Sequence, residues 1–201
     1  MKVKQFIIAT ILLIFVQGDL MAQIDSRGRS HFIPKVGLNI SNVSGTGGAD
    51  PRFGINAGVS FEKRFFFNVF AYECGVYYSM QGMRFSSGNY DFNLDYINVP
   101  FLLKGYEHWG LNFFFGPQLG INVRAKVKDH IKGETVDYKK YTKMLDPAIV
   151  VGIGHQFKKG LSASVSYNWG FLNQANKKSY IDFEKNKYHH HVLQFNVGWR
   201  Y

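Results

Sequence analysis

The sequence predicts an all-β fold, an eight-stranded antiparallel up-and-down transmembrane β-barrel. Three observations support it: apolar side chains alternate with period two in eight segments, the apolar faces carry no charged residue, and the connections alternate between long and short. A chain of 201 residues is typical of one domain. The hydrophobic content of 46% excludes a disordered chain, and the single cysteine excludes an intrachain disulfide.

The N-terminus has the features of a secretory signal peptide. Lysines precede an apolar run at residues 6–16, and Ala22 precedes a plausible cleavage site. A membrane-anchoring helix is the alternative, but the run is shorter than the about 20 residues that a spanning helix needs. We predict a signal peptide at residues 1–22, a short N-terminal periplasmic segment at 23–33 and a barrel domain at 34–201.

Each predicted strand has one apolar face and one face rich in Gly, Asn, Ser and Gln. The predicted strands are residues 35–42, 53–62, 70–80, 97–104, 112–124, 148–157, 161–170 and 192–201. A soluble barrel would place the apolar face inside, but an eight-stranded barrel has room there for only a modest filling. The opposite face also carries too few charges for a soluble surface. We therefore predict that the apolar face contacts lipid, in the outer membrane of a Gram-negative bacterium.

Charged side chains on the opposite, interior face suggest a polar network. They are Lys35, Glu62, Glu73, Lys104, Arg124 and Arg200. Glu73 lies mid-strand, where a buried charge needs a partner. We predict that Glu73, Lys104, Arg124 and Arg200 form a network that plugs the barrel; a proton or ion path is the alternative.

Lysines in two predicted long loops account for much of the formal charge of +10. These loops face outward in the predicted barrel, where ammonium groups could pair with lipopolysaccharide phosphates. Ordinary solvated loops are the alternative, and no nucleic-acid motif accompanies the charge. The candidate anion-binding residues are Lys126, Lys128, Lys132, Lys139, Lys140, Lys177 and Lys178.

We predict no catalytic, cofactor-binding or metal site. His189, His190 and His191 are adjacent, but His190 points away from its neighbours on a strand, and we interpret all three as surface histidines. His155 is predicted on the lipid face, and strand parity assembles no Ser–His–acid arrangement around it. Pro117 falls inside a strand, where it cannot donate a ladder hydrogen bond, so we expect a bulge or a register adjustment there.

Several segments resemble the PorT-like outer-membrane β-barrel family of Bacteroidetes. They are PKVGLNISNV (34–43), FGINAGVSFE (53–62), YINVPFLLK (96–104), FFFGPQLGINV (113–123) and LQFNVGWRY (193–201). The resemblance implies an outer-membrane barrel and a link to protein secretion or cell-surface assembly. The last segment, with its terminal aromatic, resembles the signal read by the barrel-assembly machinery.

Together these patterns predict a monomeric, non-enzymatic barrel with a filled interior. The expected partners are outer-membrane lipid and lipopolysaccharide, the barrel-assembly machinery during biogenesis, and an unknown envelope protein. A small pore or transporter and a lipid A-modifying enzyme are the alternatives. Bilayer recording would identify a pore, and mass spectrometry of lipid A would identify such an enzyme.

Overall fold

The computed structural model describes residues 30–44, 49–85, 90–131, 133–137, 139, 142–171 and 189–201. The predicted signal peptide, residues 1–22, lies outside these ranges, as do Lys132, Lys140, Lys177 and Lys178. Within the described part of the chain, no helix is long and apolar enough to cross a membrane.

The described residues are almost entirely β-structure. The strands are β1 (Ser30–Ser44), β2 (Ala49–Phe65), β3 (Phe70–Phe85), β4 (Tyr90–Tyr106), β5 (Leu111–Asp129), β6 (Thr135–Asp137), β7 (Leu145–Gln156), β8 (Leu161–Gly170) and β9 (His189–Trp199).

Eight of these strands form a closed antiparallel barrel, which confirms the predicted fold class. Neighbours follow one another from β1 to β5 and then from β7 to β9, and β9 pairs with β1 to close the wall. The three-residue β6 pairs only with the distal part of β5 and stands outside the ring. Closure pairs both edges of each wall strand, so no open sheet edge faces hydrocarbon.

The two ends of the barrel differ, and we call them the turn end and the loop end. At the turn end, four-residue connections join strands at residues 66–69, 107–110 and 157–160, beside the start of β1 and the end of β9. At the loop end, β5 ends at Asp129 and β7 begins at Leu145, and β8 ends at Gly170 and β9 begins at His189, so longer stretches of chain separate these strands. In bacterial outer-membrane barrels, short turns face the periplasm and long loops face outward.

Several strands run further than the sequence pattern predicted. β1 begins at Ser30, so residues 30–33 belong to the barrel wall and not to a separate segment. Most of residues 44–52 and 82–96, which lie between predicted strands, also belongs to strands, because β2 begins at Ala49 and β4 at Tyr90. The prediction stopped early because the apolar alternation ends before the hydrogen-bonded ladder does.

The apolar face of the wall points outward, as predicted. Phe113, Val151 and Phe195 are 60%, 55% and 42% exposed on the outer surface. The inner face is mostly polar and packed: Asn39 is fully buried, and its Nδ2 donates to Ser79 Oγ at 2.9 Å. Only lipid can cover an outer surface of this composition.

Towards the loop end, the apolar face changes sides. On β4, Ile97 and Phe101 point outward, whereas the next outward position is Asp95. Leu94 and Phe92, on the inward side of the same extension, are buried. A strand with apolar residues inside and charged residues outside has left the hydrocarbon, so the membrane boundary lies between Ile97 and Asp95.

Strand β5 crosses this boundary through a bulge. Ile121 pairs with Ile97 and Asn122 with Tyr96, but Arg124 pairs with Asp95, so Val123 is one extra residue. Even-numbered residues of β5 face inward up to Asn122 and outward from Arg124 onward. The bulge predicted at Pro117 is wrong: no register shift occurs there.

Candidate functional site

A network of buried charges fills the lumen near the turn end. Glu62 on β2 and Glu73 on β3 are directly opposite each other, an arrangement that is unfavourable for like charges. Lys104 on β4 relieves it: its Nζ lies 3.1 Å from Glu62 Oε2 and 2.5 Å from Glu73 Oε2. Lys35 on β1, two strands away on the other side of β2, also pairs with Glu73.

Glu62 continues the network towards the turn end. Tyr106 donates its hydroxyl to Glu62 Oε2 at 2.6 Å, and Arg64 Nε lies 3.2 Å from Glu62 Oε1. The Arg64 guanidinium also stacks over the Tyr106 ring, 3.8 Å from the centroid. Every charge in the network therefore has a partner, which burial of charge requires.

The lumen next to this network leaves little space. A cavity of about 50 Å³ lies among Lys35, Glu73, Asn98 and Asn196. That volume can hold a few water molecules. Next to the network, the lumen is thus largely occupied by side chains.

The predicted interior residues do not all form one network. Glu73 and Lys104 lie in contact. The bulge at Val123 turns Arg124 outward, away from them, and Arg200 follows the end of β9 at the turn end. Lys35 and Glu62 had been placed on the interior face, but alternation gave no information about which cross-strand partner each would meet.

The side chains outside the bulge form a second site, which we call the outer collar. Its members are Arg84, Asp91, Asp95, Arg124, Lys126 and Lys128. Arg124, Lys126 and Lys128 project outward from one strand, at intervals of about 7 Å. Lys126 and Lys128 were predicted in a loop; they lie on β5 because that strand continues to Asp129.

Arg124 is oriented by a buried carboxylate. Its Nη1 lies 3.3 Å from Asp95 Oδ2, and Tyr78 donates its hydroxyl to the same oxygen at 2.7 Å. The Asp95 side chain is 2% exposed, whereas the Arg124 side chain remains 52% exposed. The guanidinium is thus fixed on one side and open to the outside on the other.

Asp91 organises the distal part of the collar. Its carboxylate lies 3.0 Å from Arg84 Nε and 3.1 Å from His130 Nε2. Burial opposes ionisation of Asp91, but hydrogen bonds from His130 and Arg84 outweigh it and hold the pKa of this carboxyl below its ordinary value.

The remaining cations of the collar, Lys126 and Lys128, and Lys139 beside the collar have fewer partners. Lys139 donates from Nζ to the carbonyl of Val123 at 2.9 Å, which places a further ammonium group beside the bulge. Lys126 and Lys128 form no salt bridge with any described residue. Asp137 of β6 lies opposite Lys126 and moderates the local positive charge.

The three adjacent histidines occupy different environments. His190 points into the barrel and is 2% exposed, so its interpretation as a surface histidine is wrong. Its Nδ1 lies 3.5 Å from Asp146 Oδ2, and its ring is 5.7 Å from that of Tyr96. His191, on the opposite face, hydrogen-bonds with the Tyr167 hydroxyl at 2.7 Å. Among the described residues, no three His, Cys, Asp or Glu side chains are grouped to hold a metal ion.

A closed barrel with an apolar outside, a polar filled inside and a charged collar is typical of outer-membrane proteins. The sequence profile described as "Outer membrane protein beta-barrel domain" matches residues 21–176. The chain belongs to this family. Its place in the outer membrane follows from that membership and from the lipid-facing surface of the barrel.

Solved structures of outer-membrane barrels are similar to this family member in fold. Neisserial surface protein A has a TM-score of 0.57 and 13% identity, over 85% of this chain and 97% of that one. Ail, the attachment invasion locus protein of Yersinia pestis, has a TM-score of 0.50 and 13% identity, over 86% of this chain and 99% of that one.

Ail in complex with the heparin analogue sucrose octasulfate gives a TM-score of 0.51 and 14% identity, over 86% of this chain and 99% of that one. At these identities, the likenesses establish the fold alone. A search of curated proteins gives no significant match.

Proposed function

We propose that this barrel is a non-conducting, non-enzymatic anchor of the outer membrane whose outer collar binds lipopolysaccharide phosphates. The observation that carries the proposal is the outward row of Arg124, Lys126 and Lys128 directly beyond the apolar band. A cation at that height meets the headgroup layer, where charge-assisted hydrogen bonds to phosphate are available.

The height of the row supports this assignment. Phe113 and Ile121 bracket eight residue steps of outward apolar side chains on β5. These steps extend about 27 Å along the strand, or about 21 Å along the membrane normal at a tilt of about 40°. An apolar band is about 25 Å tall, so Arg124 begins where the headgroups begin.

The filled lumen supports a role that does not involve conduction. Lys35, Glu73 and Lys104 bridge the lumen by ion pairs, and the adjacent cavity has a volume of about 50 Å³. On the lipid face, the His155 ring packs against Phe157, at 4.5 Å between centroids, and we assign it no catalytic role. The complex of Ail with a sulfated sugar is compatible with polyanion binding on a barrel of this kind.

The test compares lipopolysaccharide binding by the wild type and by Lys126→Gln/Lys128→Gln. A lysine near an anionic surface contributes about 1 kcal/mol, so the double variant should bind about 30-fold more weakly at moderate salt. Dephosphorylated lipopolysaccharide should bind the two proteins alike. The control is Lys158→Gln/Lys159→Gln, which removes the same charge at the turn end. The proposal would be contradicted if Lys126→Gln/Lys128→Gln bound lipopolysaccharide as tightly as the wild type, or if the control variant weakened binding by the same factor.

The narrower resemblance to PorT-like barrels supports a second, more specific proposal. The segments at 34–43, 96–104 and 193–201 carry it, and it implies a link to protein secretion or cell-surface assembly. Its partners would be an envelope protein and, during biogenesis, the barrel-assembly machinery. Crosslinking in intact cells followed by affinity purification tests this link; recovery of lipid alone would count against it.

A further inference from the structure

A shallow apolar groove crosses the outer surface of the barrel, on the side away from the collar. Its volume is about 650 Å³. It runs between two adjacent rows of outward side chains, each row following the cross-strand pairs from strand to strand. The first row is Leu111, His155, Ala163, Val197 and Val36. The second row is Ile153, Val165, Phe195, Leu38 and Ile55.

The shape of the groove follows from this register. Ala163 is the smallest side chain of either row and leaves the wall thin at the centre of the groove. From β5 to β2 the groove crosses five strand spacings, about 24 Å. Because the strands tilt by about 40°, it climbs about 15 Å along the membrane normal. That climb is about half of a hydrocarbon core of about 30 Å, the depth of one leaflet.

The lower opening of the groove lies at the turn end. Leu111 is the first residue of β5, immediately after the turn at 107–110, whereas Ile55 lies ten residues from the end of β2. Beside the opening, the turn at 157–160 carries Lys158 and Lys159, both exposed. The neighbouring turn at 107–110 carries one carboxylate, Glu107, against these two lysines, so the turns beside the opening have a net positive charge.

We propose that the groove seats one acyl chain of an anionic glycerophospholipid of the inner leaflet, with the phosphate beside Lys158 and Lys159. Three features select this occupant. The groove is lined by apolar side chains, it rises through one leaflet, and its cationic opening lies at the end that faces the periplasm. Trp199 and Phe157, each 43% exposed at this end, mark the headgroup level.

Native mass spectrometry of the protein released from detergent, after delipidation, tests the proposal. Phosphatidylglycerol and phosphatidylethanolamine are the probes. We expect one phosphatidylglycerol to bind at least 5-fold more tightly than phosphatidylethanolamine. Lys158→Gln/Lys159→Gln should abolish that preference, and Lys126→Gln/Lys128→Gln, with the same change of charge at the loop end, should retain it.

A second variant separates the groove from the charges. Ala163→Phe fills the groove on a surface that tolerates bulk and should weaken binding of both lipids at least 5-fold, whereas Val76→Phe, elsewhere on the outer wall, should not. The proposal would be overturned if Ala163→Phe bound both lipids as the wild type does, or if Lys158→Gln/Lys159→Gln still preferred phosphatidylglycerol. Either result would mean that the bound lipid only surrounds the barrel without a specific site. Neither result bears on the collar, because lipopolysaccharide is absent from the assay.

Discussion

Replacing Lys104 by methionine tests whether the interior network holds the barrel together. Lys104 Nζ lies 3.1 Å from Glu62 Oε2 and 2.5 Å from Glu73 Oε2. The two carboxylate oxygens are therefore at most about 5.6 Å apart, and at an effective dielectric constant of about 20 their unscreened repulsion is at least about 3 kcal/mol. Glu73 keeps Lys35, and Glu62 keeps Arg64 and Tyr106, so the barrel should still fold.

Lys104→Met should lower the free energy of unfolding by about 3–5 kcal/mol, because the two buried carboxylates lose the cation that they share. Urea unfolding in detergent micelles, followed by tryptophan fluorescence, measures it. Adding Glu62→Gln to Lys104→Met removes one carboxylate charge and should restore most of the loss. A loss below about 1 kcal/mol, or no rescue by Glu62→Gln, would refute the network as a source of stability.

Three further predictions concern packing, conduction and pH. Gly116→Ala should destabilise the barrel by about 1–3 kcal/mol in the same unfolding assay, because the added Cβ would lie 1.9 Å from the Phe101 carbonyl oxygen. Gly105→Ala is the control and should be neutral, because the nearest atom to its added Cβ lies 3.9 Å away. Planar bilayers containing the protein should remain electrically silent; stable unitary currents would contradict the filled lumen. The lowered pKa of Asp91 means that its contacts with Arg84 and His130 stabilise the fold above about pH 4 and are lost as pH falls further. Amide protection near Arg84 should therefore fall between pH 5 and pH 3 in the wild type, and Asp91→Asn should already lack it at pH 5.

The faces of the strands were predictable because period two is a local property. Phe113, Val151 and Phe195 are outward in the sequence pattern and in the structure, and Glu73 and Lys104 are inward in both. Burial of one face by lipid and packing of the other constrain every second residue, so a single strand carries the information.

Two features could not be predicted from local sequence: which residues pair across strands, and which side chains point inward beyond the membrane boundary. One extra residue at Val123 reverses every later side chain of β5, and nothing in the local composition marks it. The pairing of Glu73 with Lys35, and of His190 with Asp146, depends on strands far apart in sequence. Asp146 in particular lies in a segment that was predicted as loop, so its position inside the barrel had no local signal.

The outward charged side chains beyond the outer membrane boundary also constrain how the barrel inserts into the membrane. Arg124, Lys126 and Lys128 are assembled on the far side, so they must pass the hydrocarbon layer during insertion. An unassisted route would expose each of these cations to a penalty of about 2–4 kcal/mol at the bilayer midplane. The contact of Arg124 with Asp95 would let that pair cross as a neutral unit, whereas Lys126 and Lys128 form no salt bridge with a described residue. Spontaneous insertion into a thick bilayer should therefore be slow, and thinning the bilayer should accelerate it.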